Sequence, residues 1–445
     1  MRHAVLILSI VFLARSLAGG QDAPATQPTV SRQEYEQLLR RQERMQQEID
    51  RLKAERPEPT TRPATPTPES EAVTHQDLDD LEKEISRIGD QVHSALPGSE
   101  HLVIAGDAAI GFVNQQKTNS TFFAGVSPLF LWEPTDRLLF ETAFDVNIST
   151  DTDNNSSTSF DLTIADASFV VNDWLIVGGG LFVVPFGQYH NHFDPPWINK
   201  LPDDPLVFSD GGIASSSEVG IFARGAVGVF ESSKLTYDLY LTNGPNLIVK
   251  DPAAAGSLNF QDFTDLNNGK AVGGRIGFLP MPSLEVGYSA QFAQTAPSGF
   301  GRNVDAFLQA VDANFVREIR PIGGVLTLRA EWVFTDVSRA TYDPNGKLGF
   351  GPISFGNYRH GGYFLAAYRP TLSSNAYLRN LEFVVRYDMQ HVPLAAPGGE
   401  HEQRWALGVD YWVTPSAVLK LAYEIDDKKL GPDQNAFFVQ FGIGL

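Results

Sequence analysis

Two sets of residues in this chain have the types and spacing to do chemistry. The first is local. His190 and His192 stand two apart, with Asp194 two further on. Imidazole and carboxylate are metal-ligand types, and on an extended segment that spacing puts both rings on one side. No third and fourth ligand stand near them in sequence, so these residues assign no metal. Asp151, Asp153 and Asn155 begin like a calcium loop, but the sixth position is Ser156 rather than Gly and the twelfth is Leu162 rather than Glu. The chain has no Gly-x-Ser-x-Gly elbow and no phosphate-cradling loop, and His360, His391 and His401 have no nucleophile beside them. It reads as a non-enzyme without a cofactor.

The second set is spread over 345 residues from position 101 onward, in segments whose apolar residues recur at every second position. Leu138, Phe140, Phe144, Val146 and Ile148 alternate with Glu141, Ala143, Asp145 and Asn147. Leu381, Phe383, Val385, Tyr387 and Met389 alternate with Glu382, Arg386, Asp388 and Gln390, and Leu419, Leu421, Tyr423 and Ile425 with Lys420, Ala422 and Glu424. Such segments are strands with one apolar, aromatic-rich face and one charged face. Phased this way, the charged face carries Arg224, Arg275, Arg329, Arg386, Arg404 and Lys420. It also carries Glu141, Asp145, Glu218, Asp238, Glu285, Glu331, Glu382, Asp388, Asp410 and Glu424. Charges around a water-filled pore set its ion preference, whereas opposite charges such as Arg329 and Glu331 also pair across a wall and stiffen it. Six bases against ten acids leave no basic excess.

The elements that would position these charges are membrane strands. A soluble sandwich turns its apolar face to a shared core. Segments near ten residues with a charged second face and aromatic ends fit an outer-membrane barrel, apolar outward and wet within. Sixteen strands are expected, near 101–113, 120–132, 138–148, 159–171, 174–184, 217–230, 235–242, 270–279, 284–294, 303–318, 324–336, 358–369, 379–390, 403–412, 417–426 and 435–445, with weak alternation near 303–318 and 358–369. Short connections such as Asn172-Asp173 alternate with long ones such as 185–217, as in bacterial barrels, and sixteen strands leave an aqueous channel. Phe437, Val439, Phe441, Ile443 and Leu445 keep the outward alternation to the last residue.

The composition agrees. The chain has 445 residues, 34 Lys+Arg, 53 Asp+Glu and a net charge of -19, which argues against a nucleic-acid partner. With no Cys, disulfide frameworks, thiolate metal sites and a lipid-bearing Cys are excluded. Past the N-terminus no run of about 18 apolar residues occurs, so helical spans are not expected. Residues 1–20 read as a secretory signal peptide: Arg2 precedes the apolar run Ala4–Ala14, and Ala18 and Gly20 fit small-residue cleavage. Residues 21–30 read as disordered.

Over 31–56, Tyr35, Leu38, Gln42, Met45, Ile49 and Leu52 step by 3 and 4, the seam of a coiled coil. Five prolines between Pro57 and Pro68 make 57–73 a stiff linker. Leu78, Leu81, Ile85, Ile88, Val92 and Ala95 form a second seam over 74–96, and the barrel follows over 100–445. Seams this short need partners, so a homotrimer with an α-helical periplasmic stalk is expected. The alternative is a tether, whose stalk binds the cell wall while the barrel anchors it.

The stretch Gly178-Gly179-Gly180-Leu181-Phe182-Val183-Val184-Pro185-Phe186-Gly187 resembles the strand-to-loop motif of the phosphate-selective porin O/P family. A coiled coil ahead of the barrel is similar to the trimeric dicarboxylate-type porins of that superfamily. The resemblance implies an outer-membrane porin, embedded in lipid, that passes small hydrophilic solutes or ions. It implies that the loop 185–217 folds inward, with Pro185, Phe186 and Gly187 shaping its start. Beyond them come His190, His192, Asp194, Pro195, Pro196, Trp197, Lys200, Asp203 and Asp204. Phosphate selectivity does not follow, because the basic ladder it needs is outnumbered by acids.

Overall fold

A computed structural model of the chain describes residues 102–444, apart from 119, 151–155, 210, 231, 261–264, 302 and 350. The expected signal peptide, disordered segment, linker and both coiled seams lie outside the described residues, as do Asp151, Asp153, Asn155 and Leu445.

Sixteen antiparallel strands close into one barrel. They are β1 Leu102–Gln115, β2 Thr121–Thr135, β3 Leu138–Thr150, β4 Ser156–Asn172, β5 Leu175–Val183, β6 Ser217–Phe230, β7 Ser233–Thr242 and β8 Ala271–Met281. The second half comprises β9 Leu284–Gln294, β10 Asp305–Ile319, β11 Gly324–Val337, β12 Asn357–Arg369, β13 Leu381–His391, β14 His401–Thr414, β15 Ala417–Lys428 and β16 Ala436–Gly444. Each strand pairs with its sequence neighbours, and β1 closes the ring on β16 in the register Ile110↔Phe441 and Phe112↔Val439. The closure leaves no open sheet edge, which a lipid environment requires of a β structure. Each of the sixteen expected segments overlaps one of these strands.

The wall has inverted polarity. Leu421 is 45 % exposed on the outside while its neighbour Lys420 is 0 % exposed on the inside. Phe122 at 78 %, Phe160 at 66 % and Ile221 at 61 % belong to the same outward apolar face. In water such a face would be covered or would aggregate; a bilayer covers it.

One end of the barrel has tight turns, of which residues 136–137, 173–174, 282–283 and 415–416 are two residues each. The exception is 370–380, which holds the helical turn Ala376–Arg379. The other end carries the long connections, 184–216, 243–270 and 338–356 among them.

The interior is not wet throughout. A buried apolar cluster joins Phe186, Tyr189, Leu201, Val207 and Phe208 of the 184–216 loop to inward side chains of the wall. Among these are Leu308 and Ala310 of β10, and Tyr363, Leu365 and Ala367 of β12. This explains the weak alternation in those two strands: lipid meets one face and the apolar loop meets the other, so both faces are apolar.

Candidate functional site

The lumen and the loop that enters it form the candidate site. The loop leaves β5 through Val184 and Phe186, both 0 % exposed, and the Phe186 N–H turns back to Val184 O at 2.7 Å. Gly187 has φ +70°, and a Cβ on it would lie 1.4 Å from Glu331 Oε1. Only glycine fits there. The Glu331 carboxylate uses the opening: the Gln188 and Tyr189 N–H groups donate to it at 3.2 Å, while the Gly187 N–H donates to Ser289 Oγ at 3.0 Å. The Pro-Phe-Gly element therefore roots the loop on β9 and β11.

The chain then makes a π-helical turn, Tyr189–Phe193. The Tyr189 ring stacks on Phe208 at 4.8 Å, its hydroxyl donates to Asp204 Oδ1 at 2.6 Å, and Asn199 Nδ2 donates to that hydroxyl at 3.0 Å. The Arg329 guanidinium lies 3.7 Å from the Phe193 ring centroid. His190 Nδ1 is 3.7 Å from Asp194.

Further on, the loop is clamped to the opposite wall. Lys200 pairs with Glu382 at 2.9 Å, and Trp412 Nε1 also donates to Glu382 at 2.8 Å. Asp203 accepts from Arg386 and Arg404 at 2.9 Å each. Lys420 Nζ donates to the carbonyls of Asn199 at 2.6 Å and Leu201 at 3.3 Å. Trp197 reaches β16, where a Cβ on Gly444 would meet its ring at 2.5 Å. Thr335 Oγ1 holds Ile213 O at 2.8 Å, and the Ser215 hydroxyl donates to Glu218 at 3.0 Å, which returns the chain to β6. The loop thus crosses from β5 to strands about half a turn of the barrel away.

Two adjacent loop carboxyls are driven in opposite directions. Burial, with Asp194 nearby, pushes Asp204 up to about 7. Burial also acts on Asp203, but Arg386 and Arg404 outweigh it and hold that carboxyl below its ordinary range. Burial lifts the Tyr189 hydroxyl well above its usual value, with Asp204 adding to it, and lowers His192.

The charged residues read from alternation include two ion-paired clusters, a base stacked on a ring and an acidic ladder. Arg275 makes a two-pronged contact with Asp312 at 2.6 and 3.1 Å and reaches Glu285 at 2.9 Å. Arg386, 0 % exposed, lies between Asp203 and Asp388, and Arg404 between Asp203 and Glu402. Arg224 lies over the Phe222 ring at 3.9 Å. Among the described residues Glu141 and Asp145 form no ion pair with these bases, although Arg224 acts on Asp166. Across the β3–β4 ladder Glu141 faces Asp166 and Asp145 faces Asp161.

Alternation did not single out Asp107, Asp161, Asp166, Asp312, Glu402 or Asp426. Asp312 sits in the strand whose apolar inner face hid its phase. His360, His391 and His401 do come together, at 4.9 and 3.6 Å between ring centroids, as a stack across β12, β13 and β14. Among the described residues no group of three or more His, Asp or Glu is placed to hold a metal ion.

No family model matches the chain and no curated protein matches it. Solved structures do. OmpF of Salmonella typhi, solved in complex with daunomycin, superposes with a TM-score of 0.51 at 13 % identity, covering 77 % of this chain and 97 % of that one. The outer-membrane channel DcaP of Acinetobacter baumannii gives 0.48 at 12 % identity, covering 77 % and 97 %. An anion-selective porin from Comamonas acidovorans gives 0.44 at 12 %, covering 77 % and 99 %. The first likeness establishes the fold, a porin-type barrel.

Proposed function

We propose that this chain is an outer-membrane porin, through which small hydrophilic solutes or ions diffuse passively. The observation that carries the reading is the pairing of an inverted wall with an inward loop. The outward face suits lipid, the inner face is charged, and the 184–216 loop spans the lumen and is bonded at both sides. A loop so fixed narrows the opening and sets a size limit, and the lumenal charges set ion preference. The stretch 178–187, with its resemblance to the phosphate-selective porin O/P motif, supports the same reading. The seams at 31–56 and 74–96 support a homotrimer with a periplasmic coiled coil, and an exported chain is what the first twenty residues provide for.

Liposome swelling tests it. Vesicles holding the folded protein should admit small neutral sugars and exclude larger ones with a sharp cut-off. Swelling no faster than that of empty vesicles refutes the porin reading.

The apolar cluster inside the barrel favours one second reading. A lumen filled by its own loops would make the barrel an anchor and the N-terminal region a tether to the cell wall or a periplasmic partner. That reading predicts no swelling, and loss of envelope integrity when residues 30–96 are deleted.

A further inference from the structure

Charge within the barrel is segregated by wall. The inward bases belong to β6–β15; Arg224 and Arg329 lie over the Phe222 and Phe193 rings, and four others are spent on wall and loop partners. Arg275 is held by Asp312 and Glu285, Arg386 and Arg404 by Asp203 and their strand neighbours, and Lys420 by two loop carbonyls. Strands β1–β5 contain no Lys or Arg at all. They carry inward Asp107 on β1 and, in two facing pairs across the β3–β4 ladder, Glu141 with Asp166 and Asp145 with Asp161. The loop turns Asp194, an exposed residue, toward the same wall, close enough to interact with both Asp107 and Asp145.

A second observation points to a ligand. Asp166 is 7 % exposed, and its Oδ1 has no hydrogen-bond partner, although the Arg224 charge is near enough to act on the carboxyl. A buried carboxylate oxygen without a donor is costly, and a passing cation or an N–H group of a solute relieves that cost.

We propose that the conducting path runs between Asp194 and the β1–β5 wall and selects cations, both inorganic cations and small solutes bearing an amine or guanidinium. The proposal rests on the porin reading and deepens it. Both sides of this gap are negative, so the field does not orient a dipolar solute across the opening; it concentrates positive charge and depletes negative charge. A carboxylate about 10 Å from an ion changes the ion's local concentration about two-fold in a water-like dielectric, and about 1.3-fold after screening at ~0.1 M salt. Facing carboxyls repel and do not all ionise, so with about three charges acting oppositely on cation and anion the permeability ratio is about five.

The test is the reversal potential of the full-length protein in planar bilayers under a KCl gradient. A potential of cation-selective sign is expected. The triple variant Asp107→Asn/Asp145→Asn/Asp161→Asn should lower the potassium-to-chloride permeability ratio several-fold with channels still opening, while Asp336→Asn, on the outward face, should leave it unchanged. If the triple variant does not insert, the natural sequence still decides: lysine hydrochloride should carry current through its cation, and sodium succinate should carry little through its anion. Open channels with anion preference or none overturn the cation path and leave the porin reading standing. No channels from folded, inserted protein overturn both.

Discussion

Replacing Gly187 with alanine should free the lumenal loop while leaving the barrel closed. The magnitude follows from the root of the loop. The residue has φ +70°, a conformation that costs an L side chain about 1–2 kcal/mol. The new Cβ would lie 1.4 Å from Glu331 Oε1, so the carboxylate must move away from the Gln188 and Tyr189 N–H groups, each 3.2 Å distant. A hydrogen bond to a buried carboxyl contributes about 0.5–1.5 kcal/mol net. The total is on the order of 2–5 kcal/mol, all of it acting on the loop and none on the strand ladder. Gly211 is the control. Its φ is +79°, but no atom lies within 4 Å of a Cβ built there, so Gly211→Ala carries the backbone cost alone. Single-channel recording should show larger, noisier openings for Gly187→Ala than for Gly211→Ala. Hydrogen exchange over 184–216 should accelerate in the first variant and stay near normal in the second. Unchanged conductance and exchange in Gly187→Ala would refute the account of how the loop is held.

Three further outcomes follow from the same contacts. Arg386→Met removes a guanidinium that is 0 % exposed and leaves Asp203 and Asp388 facing each other, so it should cost about 3–5 kcal/mol and lower the midpoint of thermal unfolding; an unshifted midpoint would contradict the clamp. Leu421→Arg places a charge in the outward band, 45 % exposed, at about 2–4 kcal/mol, and should cut the yield of folded, vesicle-inserted protein; a soluble protein would tolerate this change. The loop seat should also respond to pH in two directions. Asp204, raised to about 7, stabilises the seated loop most below its unfolded value near 4, and that contribution is lost as pH rises through about 7. Asp203, held low by Arg386 and Arg404, contributes above about 4, and its share is lost as pH falls through its folded value. Channel noise should therefore be least at mildly acid pH, and Asp204→Asn should remove the rise on the alkaline side; persistence of that rise would contradict the assignment.

The strands were legible because a membrane barrel writes one rule on every strand, apolar outward and charged inward. Leu421 and Lys420 obey it side by side. The rule blurs in β10 and β12, where Leu308, Tyr363 and Leu365 face inward onto apolar loop residues, so both faces read alike. The inward loop was legible in its length and in Pro185-Phe186-Gly187. Its anchors were not, because they join residues far apart in sequence: Lys200 to Glu382, Asp203 to Arg386, Gly187 to Glu331. Alternation says that Arg386 and Glu331 point inward, but not that a loop will come to meet them. It likewise gives counts of charge without their placement. Six bases and ten acids suggest a mixed lining, whereas the three-dimensional arrangement draws Arg275, Arg386 and Arg404 into ion pairs and leaves β1–β5 with acids and no bases.

The most direct test of the central claim is single-channel recording of the full-length protein in a planar bilayer. Discrete, stable current steps are predicted, grouped in threes if the protein assembles as a trimer. Folded, inserted protein that never conducts would contradict the porin and leave the filled barrel as an anchor.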